Sequence, residues 1–151
     1  MTYHILTNTG GRQVNEDYAA LLEKERGFCA ILADGLGGHG RGEAASELVV
    51  KNGLSLWENY SGSTEDFLNQ CFQDSQEKLL AKQKSENAEG EMKTTMTVLV
   101  CDGKQIQWGH IGDSRLYYFQ GNRAAARTLD HSVPQMLVAA GEIKEKDIRG
   151  H

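Results

Sequence analysis

The stretch Ala33-Asp34-Gly35-Leu36-Gly37-Gly38-His39-Gly40-Arg41-Gly42 places five glycines in ten positions. Glycine loses the most backbone freedom on folding, so this run suits neither a helix nor a strand and reads as a loop. An apolar segment, Phe28-Cys29-Ala30-Ile31-Leu32-Ala33, leads into it and ends on a carboxylate. A helix is expected to leave it from Glu43. A single aspartate at the tip of a buried strand, followed by a carbonyl free to turn inward, suits a hard cation.

With 151 residues, positions 1–151 are the size of a single domain, able to bury roughly 70% of the unfolded surface. The formal net charge of -5 offers no basic face, so neither nucleic acid nor an acidic membrane is an expected partner. No apolar run approaches the roughly 18 residues of a membrane span. Met1-Thr2-Tyr3-His4 lacks the basic and apolar regions of a signal peptide. Cys29, Cys71 and Cys101 lie in apolar stretches without CxxC spacing, which favours buried free thiols over disulfide or zinc roles. Free thiols belong to a reducing compartment, and the cytoplasm is the expected location.

Residues 3–7 read as a first strand. Residues 17–22 and 28–33 read as a hairpin around Lys24-Glu25-Arg26-Gly27. Ala44, Ala45, Leu48 and Val49 recur at helical spacing, predicting a helix from about Gly42 to Tyr60. A second helix is expected from Ser63, with Asp66 completing a box-like cap and one apolar stripe through Phe67, Leu68, Cys71, Phe72, Leu79 and Leu80. The charged segment from Lys82 to Lys93 reads as the solvated end of that helix and a loop. The period then changes. Thr95–Cys101 and Gln105–Trp108 form a hairpin around Asp102-Gly103, and Arg115–Phe119 and Arg123–Leu129 form another around Gly121-Asn122. Ser132-Val133-Pro134-Gln135 starts a last helix that ends near Gly141. Strands, two helices and strands again describe α/β layers with antiparallel sheets.

Three chemistries compete for the marked residues. Gly35, Gly37 and Gly40 spell G-x-G-x-x-G between a strand and a helix, the letters of a dinucleotide-binding turn. Asp34, however, would aim a carboxylate at the pyrophosphate, and the following elements are not a second βαβ unit. Gly112-Asp113-Ser114-Arg115-Leu116 resembles the serine block of GDSL-type esterases. A serine nucleophile also needs a histidine base with an orienting carboxylate, and the nearest pair, Asp147 and His151, has the wrong spacing. The plainer role for Asp113 and Ser114 is a polar turn between strands.

The third reading joins the acids. Glu16, Asp17, Asp34 and Asp113 each fall at or beside the end of an expected strand. If those ends converge, four acids repel one another unless cations sit between them. Oxygen-only ligands favour Mg²⁺ or Mn²⁺ over zinc. Arg12 adds a guanidinium fork that fits a phosphate dianion. Metal ions beside an anion-binding arginine describe a phosphate-ester hydrolase.

Five blocks occur in order: Arg12-x-x-Asn15-Glu16-Asp17, Ala33-Asp34-Gly35-Leu36-Gly37-Gly38-His39, Thr94-Thr95, Gly112-Asp113-Ser114-Arg115-x-Tyr117 and Leu129-Asp130-His131-Ser132. Together they resemble the metal-dependent protein phosphatase family (type 2C) in its compact bacterial form, from about Gly11 to the last residue. The resemblance implies an α/β (α+β) fold, a four-layer sandwich of two antiparallel β-sheets flanked by helical pairs, with metals in a cleft at one end. It implies hydrolysis of phosphoserine and phosphothreonine in proteins, the targets of a serine/threonine kinase, by a metal-bridging hydroxide and without a phospho-enzyme. By position, Asp34 would bridge two Mn²⁺ or Mg²⁺ ions and the Gly35 carbonyl would bind one. Glu16 and Asp17 would hold metal-bound waters or touch a metal, Asp113 would help hold a looser third ion, and Arg12 would clamp the phosphate. Ser114 is then a turn residue and not a nucleophile.

The chain departs from the family's pattern in several places. Some members carry a histidine two residues after the bridging aspartate, to protonate the leaving group, where this chain has Leu36. A metal-bound water or His39 remains for that task, with local packing the plainer role for His39. Lys93 stands where the family often has glycine. The family's domain also continues past this ending, and the continuation supplies further metal-binding aspartates. The expectation is therefore a C-terminally truncated catalytic domain with weak metal affinity and open sheet edges. The alternative is a non-catalytic phosphoprotein-binding or regulatory module that uses Arg12 without a complete metal centre.

Overall fold

The hairpin expected around Lys24 is the hub of the fold. β1 (Asp17–Lys24) and β2 (Gly27–Leu36) pair antiparallel over their whole common length, from Asp17 opposite Asp34 to Lys24 opposite Gly27. The computed structural model describes residues 1–25, 27–37 and 41–150, with residues 149 and 150 described for their backbone alone; Gly38, His39, Gly40 and His151 lie outside the described residues. Along β2, Cys29, Ile31 and Ala33 are buried while Leu32, Asp34 and Leu36 are exposed. That alternation is the period of a strand packed on one face, and it decides which side Asp34 occupies.

β3 (Lys93–Thr94), β4 (Met96–Cys101) and β5 (Ile106–Ile111) complete a five-stranded antiparallel sheet in which β4 lies between β2 and β5, and β3 extends the pairing along the end of β2. β6 (Tyr117–Gln120) and β7 (Arg123–Arg127) form a second, two-stranded antiparallel sheet with an irregularity at Tyr118–Phe119. With helices α1 (Arg41–Asn59), α2 (Thr64–Ser85) and α3 (Val133–Ala139), this is an α+β fold with two antiparallel sheets, as expected.

α1 and α2 cover one face of the large sheet. Val49, Val50 and Trp57 of α1 and Phe67, Cys71 and Leu79 of α2 meet Ile31, Met96, Val98 and Val100 of the strands in one buried cluster. The Trp57 and Phe67 rings meet edge-on, with centroids 5.1 Å apart. Burial of aromatic and branched side chains at this density is the main stabilising term. Cys29 and Cys71 are buried free thiols whose pKa burial pushes up, and Cys101 is a free, partly buried thiol, in line with the expectation.

Local signals set the helix ends. The Ser63 hydroxyl accepts from the Asp66 N–H at 3.1 Å and donates to the Asp66 carboxylate at 2.6 Å, the reciprocal cap expected there. Ser132 caps α3 by accepting from Gln135 N–H alone, at 3.4 Å. α3 stops where Gly141, at φ +76°, lets Glu142 N–H reach Leu137 O and Gly141 N–H reach Val138 O, a paired C-terminal closure.

Two expectations need correction. The glycine-rich run that reads as a loop is strand at its start and helix at its end, Ala33–Leu36 lying in β2 and Arg41–Gly42 in α1, because ladder pairing and packing override the weak propensity of glycine. Residues 3–7 form no strand: they have no ladder partner among the described residues, and an extended segment without one keeps its backbone groups in water. The structure also adds the short β3 and a 3-10 helix over Glu145–Gly150, neither of which has a periodic signal long enough to read. That 3-10 helix is tied to β7 by Arg127 Nη2 donating to Glu145 Oε1 at 2.6 Å.

Candidate metal and phosphate site

Register places the first pair of acids. Asp17 opens β1 and Asp34 lies near the end of β2, directly opposite it and on the sheet face away from α1. Two carboxylates on neighbouring strands repel unless something positive lies between them. The Asp34 carboxyl is pushed up, first by burial, then by the charges of Asp17 and Asp113 and by its hydrogen bond to Asp17, while Arg12 pulls it back down. Arg12, Asp17 and Asp34 line a cleft of about 210 Å³ that also includes Asn8, Asn15, Glu16 and Gly35.

Gly35 is required by close approach. Its N–H donates to the Glu16 carbonyl at 3.0 Å, and a Cβ added there would collide with the Gly42 carbonyl and lie 2.7 Å from Glu16 O. The strand end is thereby pressed against the first turn of α1, and the Ser46 hydroxyl, also donating to Glu16 O at 2.6 Å, fixes the same junction.

Glu16 and Asp17 are neighbours in sequence with different partners: Asp17 opens β1 opposite Asp34, and Glu16 lies just before the strand. The Glu16 carboxylate lies against Gly42 and makes an ion pair with Arg12 Nη1 at 3.5 Å. Arg12 itself is 75% exposed in its side chain at the mouth of the cleft. Such a guanidinium is open to an anion without a large desolvation cost.

Asp113 follows Gly112, whose φ of +101° turns the chain out of β5. It is exposed, and it reaches Asp34 as an electric field. The Leu129–Ser132 block braces this loop. His131 N–H donates to Gly112 O at 2.9 Å, and Arg115 makes a two-pronged pair with Asp130, at 2.6 and 2.7 Å. Hydrogen bonding to Arg115 holds the Asp130 carboxyl below its ordinary range.

The donor chemistry fits a hard divalent cation at the Asp17–Asp34 pair. Both donors are carboxylates, Gly35 lines the same cleft, and the unbalanced negative charge felt by Asp34 is what a cation relieves. Among the described residues no three His, Cys, Asp or Glu side chains gather into a ready-made metal cage. The structure thus brings Asp17, Asp34, Gly35, Arg12 and Glu16 to one cleft, with Glu16 paired to Arg12 and packed on α1, and sets Asp113 within electrostatic reach.

The residues that hold these acids in place carry no charge themselves. The Asn15 side chain accepts from Asp17 N–H at 3.1 Å and donates to Thr7 Oγ1 at 2.6 Å, fixing the start of β1. Asn two residues before a strand is a recognisable turn signal. Thr95 and Ser114, discussed below, carried no charge to draw attention to them.

Residues 7–135 match the family model described as protein phosphatase 2C, and the chain belongs to that family. It is 31% identical over 146 residues to the serine/threonine phosphatase stp of Listeria welshimeri, an alignment covering 93% of this chain and 58% of that protein. Its fold is similar to the crystal structure of serine/threonine phosphatase Stp1 from Staphylococcus aureus, with a TM-score of 0.85 at 28% identity, over 94% of this chain and 58% of that one. It is also similar to the catalytic domain of serine/threonine protein phosphatase PstP in complex with two manganese ions, with a TM-score of 0.76 at 30% identity, over 90% and 58% of the two chains. The chain therefore spans less than two thirds of the length of these relatives.

Proposed function

We propose that this chain is the Asp34-bearing part of a protein serine/threonine phosphatase that hydrolyses phosphoserine and phosphothreonine with Mn²⁺ or Mg²⁺. The observation that carries the reading is the face-to-face placement of Asp17 and Asp34 in a cleft that Arg12 overlooks. Family membership and the manganese complex of PstP support it. Bound divalent ions would neutralise phosphoryl charge and lower the pKa of water.

The chain's own residues supply the rest. Asp34 and Asp17 provide the anionic donors and Gly35 its carbonyl. Asp113 adds negative charge on the open side, where a looser third ion would be held. Arg12, steadied by Glu16, receives two phosphoryl oxygens through its fork, which sets the phosphorus against the acid pair. The leaving-group proton comes from water, so His39→Ala retains activity on a phosphothreonine peptide. The substrates are phosphoproteins made by a serine/threonine kinase, in the cytoplasm, with no nucleic-acid or membrane partner. Among the described residues no helix is long and apolar enough to cross a membrane.

Phosphate release from a phosphothreonine peptide by the purified chain tests the reading. Turnover that needs Mn²⁺, stops on chelation and is lost in Asp34→Asn supports it. Tight, metal-independent peptide binding without turnover overturns it in favour of a binding module.

A further inference from the structure

We infer that Thr95 and Ser114 are positioning residues whose hydroxyls clasp the main chain of Asp34 and lock the Asp113 loop to the same point. The inference rests on the cation reading of the Asp17–Asp34 cleft. Its first support is an interrupted ladder. β2 pairs with β4 up to Leu32 opposite Thr97 and with β3 from Gly35 opposite Thr94, in one continuous register that sets Asp34 opposite Thr95. In such a pair each residue's N–H ordinarily bonds to the other's carbonyl. Half of that exchange is kept, Thr95 N–H donating to Asp34 O at 2.9 Å. The other half is replaced: Asp34 N–H donates to Thr95 Oγ1 at 2.9 Å, and the Thr95 carbonyl accepts instead from Thr94 Oγ1, also at 2.9 Å. Thr94 Oγ1 lies 3.0 Å from Asp34 O as well.

The second support is what Thr95 does with its remaining valence. Its Oγ1 lies 2.7 Å from Ser114 Oγ, in the residue that follows Asp113. Its methyl fills the space over Gly112, where a Cβ would come within 2.6 Å of Thr95 Cγ2. One side chain thus joins the strand end that carries Asp34 to the turn that carries Asp113. Asp17 and Asp113 both repel Asp34, and a strand end freed from its ladder would splay under that repulsion. The hydroxyl clasp holds it while leaving the carboxylate free for a cation. A backbone ladder bond cannot also reach Ser114; a β-hydroxyl can.

The experiment compares wild type, T95V, T95S and S114A by Mn²⁺ titration calorimetry and by hydrogen exchange of the Asp34 amide. Valine keeps the shape and removes the acceptor. T95V is expected to weaken Mn²⁺ binding and to speed Asp34 exchange, each by about tenfold, the scale of one lost hydrogen bond at an otherwise intact site. T95S keeps the hydroxyl and restores both, and S114A falls between them. A T95V protein that binds Mn²⁺ like wild type overturns the positioning role, as does a T95S protein no better than T95V. A wild-type chain that takes up no Mn²⁺ overturns the metal reading instead. The exchange rates then decide the clasp alone: faster Asp34 exchange in T95V supports it, and unchanged exchange overturns it.

Discussion

Asp17 and Asp34 stand directly opposite each other across β1 and β2, each on the sheet face away from the helices. The pair is electrostatically unfavourable by itself, since burial and the charges of Asp17 and Asp113 both oppose ionisation of Asp34.

A charge disfavoured in the fold lowers its stability wherever that charge is present, and removing it reverses the sign. Asp34→Asn is therefore expected to raise the melting temperature in EDTA at pH 7. In millimolar Mn²⁺ the order inverts, because wild type gains binding free energy that the variant loses. Thermal melts in the two buffers check this, and an Asn variant less stable than wild type in EDTA contradicts it.

Lys24 closes the C-terminal end of α1. Its Nζ donates to the carbonyls of Trp57 at 2.6 Å, Glu58 at 2.8 Å and Tyr60 at 3.2 Å, and it lies 5.1 Å from the centre of the Trp57 ring. A cation at the negative end of a helix, bonded to its last carbonyls, contributes about 1–2 kcal/mol. Lys24→Met keeps the aliphatic stem and should lose that amount in urea unfolding, with an unchanged m-value.

Gly35→Ala tests the close approach at the strand end. Its Cβ would meet the backbone of Gly42 and Glu16, which cannot step aside as a side chain can. Overpacking of this kind costs about 1–3 kcal/mol. The same substitution should weaken Mn²⁺ binding at least about threefold, because a strand end moved by a few tenths of an ångström carries Asp34 with it. Denaturant unfolding and titration calorimetry read the two effects separately.

Acid should loosen the Asp113 loop through Asp130. Bonding to Arg115 lowers the Asp130 pKa in the fold, so its contribution to stability is fully present above the ordinary carboxylate range. It is lost as pH falls through the lowered value. Asp130→Asn lacks the ionised partner at every pH, so its difference from wild type should be large at neutral pH and shrink towards zero in acid. Melting temperatures across that range, with both proteins in EDTA, check the sign.

The elements whose signals are local were legible in the chain. Ser63 with Asp66, Ser132 with Gln135 and the glycine at position 141 each set a helix end through bonds spanning a few residues. The β1–β2 hairpin carried its alternation openly. Residues 3–7 had an equally strand-like composition and stayed unpaired, because a strand is completed by a partner and not by propensity. Asp34, Asp17 and Arg12 were recognisable by charge and motif. Thr95 and Ser114 stood inside recognised blocks, yet their contacts were not legible there, since a hydroxyl acquires meaning only from what stands opposite it.

The sequence by itself determined the family and the order of its acidic blocks, because these reside in residue type and order along the chain. Tertiary structure alone decided that, in one cleft, Glu16 pairs with Arg12 and packs on α1 while Asp17 faces Asp34. It also decided that Thr95, 61 positions beyond Asp34, supplies the acceptor for the Asp34 amide. The physical reason is the same in both cases. Strand alternation sets which way a side chain faces, and register across the sheet sets what it meets there.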